Sequence, residues 1–259
     1  MREKVVVIIP CHNEEKSIAT VIKKIPVKKL ANHGIATEIL VINNNSTDRT
    51  HEVAEAAGAT VIEETKKGKG NAMCRGFASL PADTNYVVML DGDDTYNPAE
   101  ILRLIEPLQS GFCEVVIGSR LSGKMNAGAM NSTSRLGNWV FTNLVRVKHR
   151  VAVTDVLTGY FAWTKAAIDD LAPHLHSAGF AIEMEMITKM ARMNYEIYSV
   201  PISYHPRIGE SNLRPYHDGA RIFTMFVTTF QWRPHCPTRF HTPKNYQQQN
   251  NQEQEIQEA

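Results

Sequence analysis

No apolar run in this sequence is long enough to cross a bilayer. The longest late stretch, 222–230, is broken by Thr224, Thr228 and Thr229 and falls far below the roughly 20 residues required. The opening run at 5–9 is too short for a secretory signal and leads into a polar loop, so it reads as a first strand. An excess of either charge is also lacking. Lys and Arg total 28 against 27 Asp and Glu, which removes the electrostatic basis for nucleic-acid binding and requires any bound anion to be held locally. Cysteine is scarce: Cys11, Cys74, Cys113 and Cys236 show no zinc or thioredoxin spacing, which fits a reducing cytoplasm. His12, His205 and His217 have no ligand spacing, and there is no internal repeat.

What is present is a chain of 259 residues, 43% hydrophobic, enough for one large core. We expect a single domain over 1–232 and a disordered polar tail over 233–259, where Pro, Gln, Asn and Glu dominate. Strand patterns at 5–9, 38–42, 60–62, 86–90 and 114–118 alternate with helical patterns at 14–25, 47–57, 70–79 and 98–108. Further helices are expected at 133–147, 164–171, 182–193 and 219–231. Such alternation predicts an α/β fold: a Rossmann-like, mostly parallel sheet with helices on both faces. Ligands of such sheets collect beyond the carboxyl ends of the strands, where strand order reverses. The segments "PCHNEE", "NNNSTD", "DGDD" and "GSR" follow strands and put polar groups at one rim.

In "VVMLDGDDTYNP" (87–98) an apolar strand ends in Asp91, Asp93 and Asp94. A helix cap by Asp94 or Asn97 accounts for at most one acid. Clustered carboxylates raise one another's pKa and need a counter-ion. Asp91 and Asp93, with Gly92 between them to let the chain turn, suit one divalent cation, Mg²⁺ or Mn²⁺, whose other ligands are water and substrate phosphate.

Seven segments occur together: "IIPCHNEE", "VINNNSTD", "KKGKGNAMCRG", "VVMLDGDDTYNP", "VVIGSR", the 180–186 stretch around "IEMEM", and "VPISYHPRIGESNL". In order and spacing this set resembles family 2 glycosyltransferases with the GT-A fold, most of all the dolichyl- or polyprenyl-phosphate sugar transferase branch, dolichol-phosphate mannose synthase-like. The likeness covers roughly residues 4–230. It implies a nucleotide-diphosphate sugar bound by Pro10, His12, Glu14, Ile42, Asn43, Asn44, Lys69, Asp91, Gly92 and Asp93, with Asp91 and Asp93 holding the metal. It also implies that Asp93, Arg120, Arg135 and Arg207 carry catalysis, the arginines gripping phosphate with paired hydrogen bonds. Departures are Asn43 and Asn44 where relatives often carry Asp, Phe161 where they carry Arg, and Asn212 where a phosphate-contacting Lys is usual, with Arg214 as its substitute.

The implied activity is an inverting, metal-dependent transfer of mannose, glucose or GlcNAc from a UDP- or GDP-sugar to a polyprenyl phosphate. It would occur at the cytoplasmic membrane face, through peripheral contact or a membrane-anchoring partner. The apolar face of the 219–231 helix is read first as core and second as membrane contact. A phosphate acceptor is already ionised and needs no base, whereas a saccharide or protein hydroxyl does. Asp155, Glu183 and Glu185 are the candidate bases; Glu183 and Glu185 point about 200° apart on a helix, so only one can face the site. The rival readings are a hydroxyl-acceptor transferase, an inactive nucleotide-sugar-binding subunit and, ranked low because "PCHNEE" is acidic, a nucleotidyltransferase.

Overall fold

The structure, a computed structural model, describes residues 2–209 and 214–234. Seven strands form one sheet: β1 (Glu3–Cys11), β2 (Ile35–Asn43), β3 (Thr60–Glu63), β4 (Tyr86–Met89), β5 (Val115–Met125), β6 (Phe161–Thr164) and β7 (Ile197–Tyr204). Their order is β3-β2-β1-β4-β6-β5-β7, parallel throughout except for β6, which runs antiparallel to both neighbours. β1 lies between β2 and β4, so strand order reverses between β1 and β4. The loops beyond those two carboxyl ends are "PCHNEE" and "DGDD".

Alternation along β1 builds two cores. Val5, Val7 and Ile9 face one side, packed by α1 (Ile18–Lys24), α2 (Val27–Asn32), α3 (Thr50–Ala56) and α5 (Ile101–Gln109). Val6 and Ile8 face the other, covered by α4 (Lys69–Ala78), α6 (Ser132–His149), α7 (Lys165–Leu171), α8 (Ile182–Arg192) and α9 (Pro215–Thr228). Helices on both faces agree with the α/β expectation.

Several boundaries differ from the sequence reading. α1 starts at Ile18 because Asn13 adopts φ 60° and residues 14–17 form a turn. The 98–108 helix splits into a 3₁₀ turn, Pro98–Glu100, capped by Asn97 Oδ1 accepting from the Ala99 amide at 3.1 Å, followed by α5. β5 runs through "GSR" to Met125, so Arg120 sits within a strand and not in a loop after it. α2, β6 and β7 were not expected. β7 carries Pro201, which is tolerated because β7 is an edge strand of the sheet, laddered to β5. The expected tail, from residue 235 on, and Cys236 lie outside the described residues. Among those residues no helix is long and apolar enough to cross a membrane.

Candidate active site

The β1 and β2 loops are laced together. The Glu14 amide donates to Thr50 Oγ1 (2.8 Å), the Thr47 amide to Asn13 Oδ1 (2.8 Å), and His12 Nδ1 lies 2.9 Å from the Asn44 carbonyl oxygen. The two asparagines have work that aspartates could not do. Asn43 Nδ2 donates to both Glu63 carboxylate oxygens (3.0 and 3.1 Å). Asn44 Nδ2 donates to the Glu64 and Lys66 carbonyls, while its Oδ1 accepts from the Gly68 amide (2.6 Å). An acid at Asn43 would repel Glu63, and one at Asn44 would lose both donations.

Beyond the β1 and β4 ends opens a cavity of about 680 Å³. Pro10, His12, Glu14, Asn44, Lys69 and Gly92 line it, as do Asp91, Asp93, Arg120, Glu183 and Arg207. Five expected site residues do not. Ile42 is fully buried in the core, Asn43 is engaged by Glu63, and Arg135 is exposed on α6 outside the cavity wall. Asp155 and Glu185 are buried among partners of their own, as follows.

Asp155 Oδ2 accepts from Arg120 Nε (2.7 Å) and from the Arg120 amide (2.9 Å). Its Oδ1 accepts from Arg120 Nη2 (2.8 Å) and Asn138 Nδ2 (2.6 Å). Arg120 also bonds the Leu157 carbonyl and lies 5.3 Å from the Tyr204 ring centroid, so its guanidinium is largely committed to the protein. Glu185 accepts from Lys189 Nζ (2.6 Å) and from the His176 and Ser177 amides, tying α8 to the preceding loop. Phe161 is a core residue stacked on Trp163.

The "DGDD" acids are each held by a cation. Lys69 Nζ bridges Asp91 Oδ1 and Glu183 Oε1, both at 2.6 Å. Arg207 Nη1 donates to Asp93 Oδ2 (2.7 Å), and its Nη2 to Glu14. Asp93 Oδ1 accepts from the Thr95 amide and hydroxyl (3.1 and 2.6 Å). Asp94, with φ 61°, pairs with Lys24 outside the site; of the two cap candidates it is Asn97, not Asp94, that caps the following turn. Gly92 is not in the left-handed region; it is glycine because a Cβ there would lie 2.6 Å from Cys11 Sγ. The helix start at Lys69 is not an open phosphate cradle either. The Asn71 amide donates to the Ala178 carbonyl, and a Cβ at Gly70 would lie 1.7 Å from the Ser177 oxygen. Lys69 reaches the cavity through its side chain instead.

Four carboxylates thus meet two cations, and this cluster within the cavity is locally short of positive charge. Burial pushes Glu14 up to about 7 despite Arg207, with Asp93 adding to the rise. Burial also raises Asp93, reinforced by Asp91 and opposed by Arg207, and raises Glu183 against the pull of Lys69. Burial alone would lower the Lys69 pKa, but Asp91 and Glu183 outweigh it and raise it. Among the described residues no cluster of three ligating side chains exists. Two hard carboxylates in an electron-rich cleft fit a divalent cation that takes its other ligands from water and a diphosphate.

Gly159 and Tyr96 carried no sequence signal. A Cβ on Gly159 would lie 2.2 Å from Asp91 Oδ2, and the Gly159 amide donates to Tyr96 Oη (2.6 Å). Arg214 lines the cavity, while Asn212 lies outside the described residues.

The sheet order, the strand-end acids and the cavity at the β1/β4 reversal define a GT-A-type nucleotide-sugar fold. The chain belongs to glycosyl transferase family 2, whose family model matches residues 6–171. The glycosyltransferase AglJ of Haloferax volcanii is 36% identical over 223 residues, which is 85% of this chain and 70% of that protein. A dolichyl-phosphate hexose transferase of the same organism is 32% identical over 216 residues, 83% of this chain and 89% of that one. The fold is similar to that of glucosyl-3-phosphoglycerate synthase from Mycobacterium tuberculosis, solved with Mn²⁺, UDP-glucose and phosphoglyceric acid. The TM-score is 0.68, with 20% identity over 88% of this chain and 79% of that one.

Proposed function

We propose that the chain is an inverting, metal-dependent transferase that moves a hexose or N-acetylhexosamine from a UDP- or GDP-sugar to a polyprenyl phosphate at the cytoplasmic membrane face. Peripheral contact or a membrane-anchoring partner would hold it there. The observation that carries this reading is the commitment of the bases. Asp155 and Glu185 are locked in buried ion pairs, which favours an acceptor that arrives already ionised. The Haloferax dolichyl-phosphate hexose transferase supports the acceptor class, and the mycobacterial synthase supports a UDP-sugar with Mn²⁺ as donor chemistry.

Asp91 and Asp93 would hold the cation, which offsets charge on the departing nucleotide diphosphate. Pro10, His12, Glu14 and Asn44 would face base and ribose from the laced loops. Lys69 and Arg207, released from their carboxylates, would turn to the phosphates, and Arg120 would border the acceptor side. Incubation with Mn²⁺, labelled UDP- and GDP-sugars and a polyprenyl phosphate should give a lipid-soluble product. Asp93→Ala should abolish it, and unchanged turnover in that variant would overturn the metal assignment.

A second reading rests on Glu183, which lines the cavity with its Oε2 buried and without a hydrogen-bond partner. It is the one candidate base that reaches the site, and would serve a hydroxyl acceptor. Under the phosphate reading Glu183→Gln keeps measurable glycolipid synthesis. Under the hydroxyl reading no glycolipid forms in either protein, and transfer to a saccharide is lost in the variant.

A further inference from the structure

α6 is amphipathic in an unusual sense. Thr133, Ser134, Gly137 and Phe141 line the cavity, and Asn138, Thr142 and Val145 are buried. Its opposite face exposes Leu136 (61%), Trp139 (58%), Val140, Leu144 and Val147 (82%). The spacing 136, 139, 140, 144, 147 is a continuous helical stripe, far from the scattered apolar residues of an ordinary surface. α9 packs against α6, with His149 edge-on to Phe226 (6.2 Å), and adds exposed Phe223 and Val227. The face expected on the last helix is thus divided: Ile222 and Phe226 belong to the core, and α6 supplies most of the exposed apolar surface.

Charge along the stretch that carries α6 is one-signed. Between Glu114 and Asp155 the sequence has no acid, while it carries Arg120, Lys124, Arg135, Arg146, Lys148 and Arg150. Arg135, Arg146, Lys148 and Arg150 are exposed on or just after α6. The one acid of α9, Asp218, is buried and accepts from the Arg214 amide (2.7 Å). An apolar stripe flanked by cations, in a chain of otherwise balanced charge, complements an anionic lipid surface.

We infer that the outer face of α6, joined by α9, docks on anionic bilayers and thereby places the cavity wall formed by the inner face of α6 beside the membrane. The occupant is the lipid surface itself. The inference deepens the lipid-acceptor reading and rests on it for its purpose, yet its binding measurement needs neither donor nor acceptor.

The test is flotation of the full chain with vesicles of phosphatidylcholine containing 30% phosphatidylglycerol, against pure phosphatidylcholine, at low and high salt. Binding should require the anionic lipid and weaken with salt. Each removed cation should weaken it about fivefold, so Arg146→Gln with Lys148→Gln should lose roughly 25-fold. Trp139→Ser, on an exposed position outside the cavity, should also reduce binding. Neither variant should change transfer to a short-chain, water-soluble polyprenyl phosphate, which separates failure of docking from failure of the transferase reading. Absence of vesicle binding, or binding unaffected by both variants, would overturn the inference. So would a dimer in sedimentation that Trp139→Ser dissolves, because a second copy would then cover the stripe.

Discussion

Gly159→Ala isolates the geometry of Asp91, one of the two proposed metal ligands. Gly159 does not have a positive φ, so alanine fits the backbone, and the three atoms nearest the added Cβ all belong to Asp91: Oδ2 at 2.2 Å, Cγ at 2.8 Å and Oδ1 at 3.0 Å. An ordinary carbon–oxygen contact is about 3.3–3.6 Å, so one partner must yield by on the order of 1 Å. Gly159 is pinned through its amide to buried Tyr96, and Asp91 is tethered only through Lys69, a side chain that can follow it. Asp91 therefore moves. A misplacement of about 1 Å costs on the order of 100-fold in rate, and kcat/KM with Mn²⁺ and nucleotide sugar should fall by that factor. The thermal midpoint should change little, and calorimetric titration should show weakened Mn²⁺-nucleotide binding. A kcat/KM within threefold of the parent, in a folded variant, would refute the placement of Asp91 against Gly159.

Asp155→Asn leaves the Arg120 guanidinium buried without its counter-charge and should cost about 3–5 kcal/mol in urea unfolding. Replacing both residues, Arg120→Met with Asp155→Leu, should recover part of that loss, which a purely catalytic pair would not predict. Glu14, raised by burial from 4.5 to about 7, binds its proton more tightly in the folded chain. Its contribution to stability is complete below 4.5 and is lost as pH rises through about 7. Without divalent cation, the denaturant midpoint of Glu14→Gln should fall less than that of the parent across this window; parallel curves would contradict it.

What the sequence made legible follows from physical range. β1, β2 and β4 are continuous apolar runs because both faces are covered, and period and composition suffice to find them. β6 is four residues whose Thr164 already caps α7, and β7 contains a proline acceptable only at a sheet edge, a fact of topology. The same divide runs through the site. Asp91 and Asp93 stand out because they are neighbours in sequence. Their counter-ions do not: Arg207 lies 114 residues from Asp93, and Lys69 reaches Asp91 only after α4 and β4 pack side by side on β1. Asp155 and Glu185 look like free carboxylates until Arg120 and Lys189 are placed against them.

The charge argument itself changes once the fold is known. Three acids at the end of a buried strand do not by themselves require a metal, since Lys69, Arg207 and Lys24 each neutralise one. The stronger reason is the remainder: Glu14 and Glu183 share those cations, and burial raises their pKa values. A cluster of four carboxylates around two cations is destabilised when all are ionised, and it would gain from a divalent cation. If Asp91 and Asp93 were to hold such a cation, as proposed, Lys69 and Arg207 would each give up one of two carboxylates and keep the other, Glu183 and Glu14 respectively. Their freed hydrogen-bonding capacity faces the cavity, where a diphosphate would satisfy it. On the proposed reading, metal and nucleotide would be coupled through two side chains, each of which exchanges one carboxylate for a phosphate.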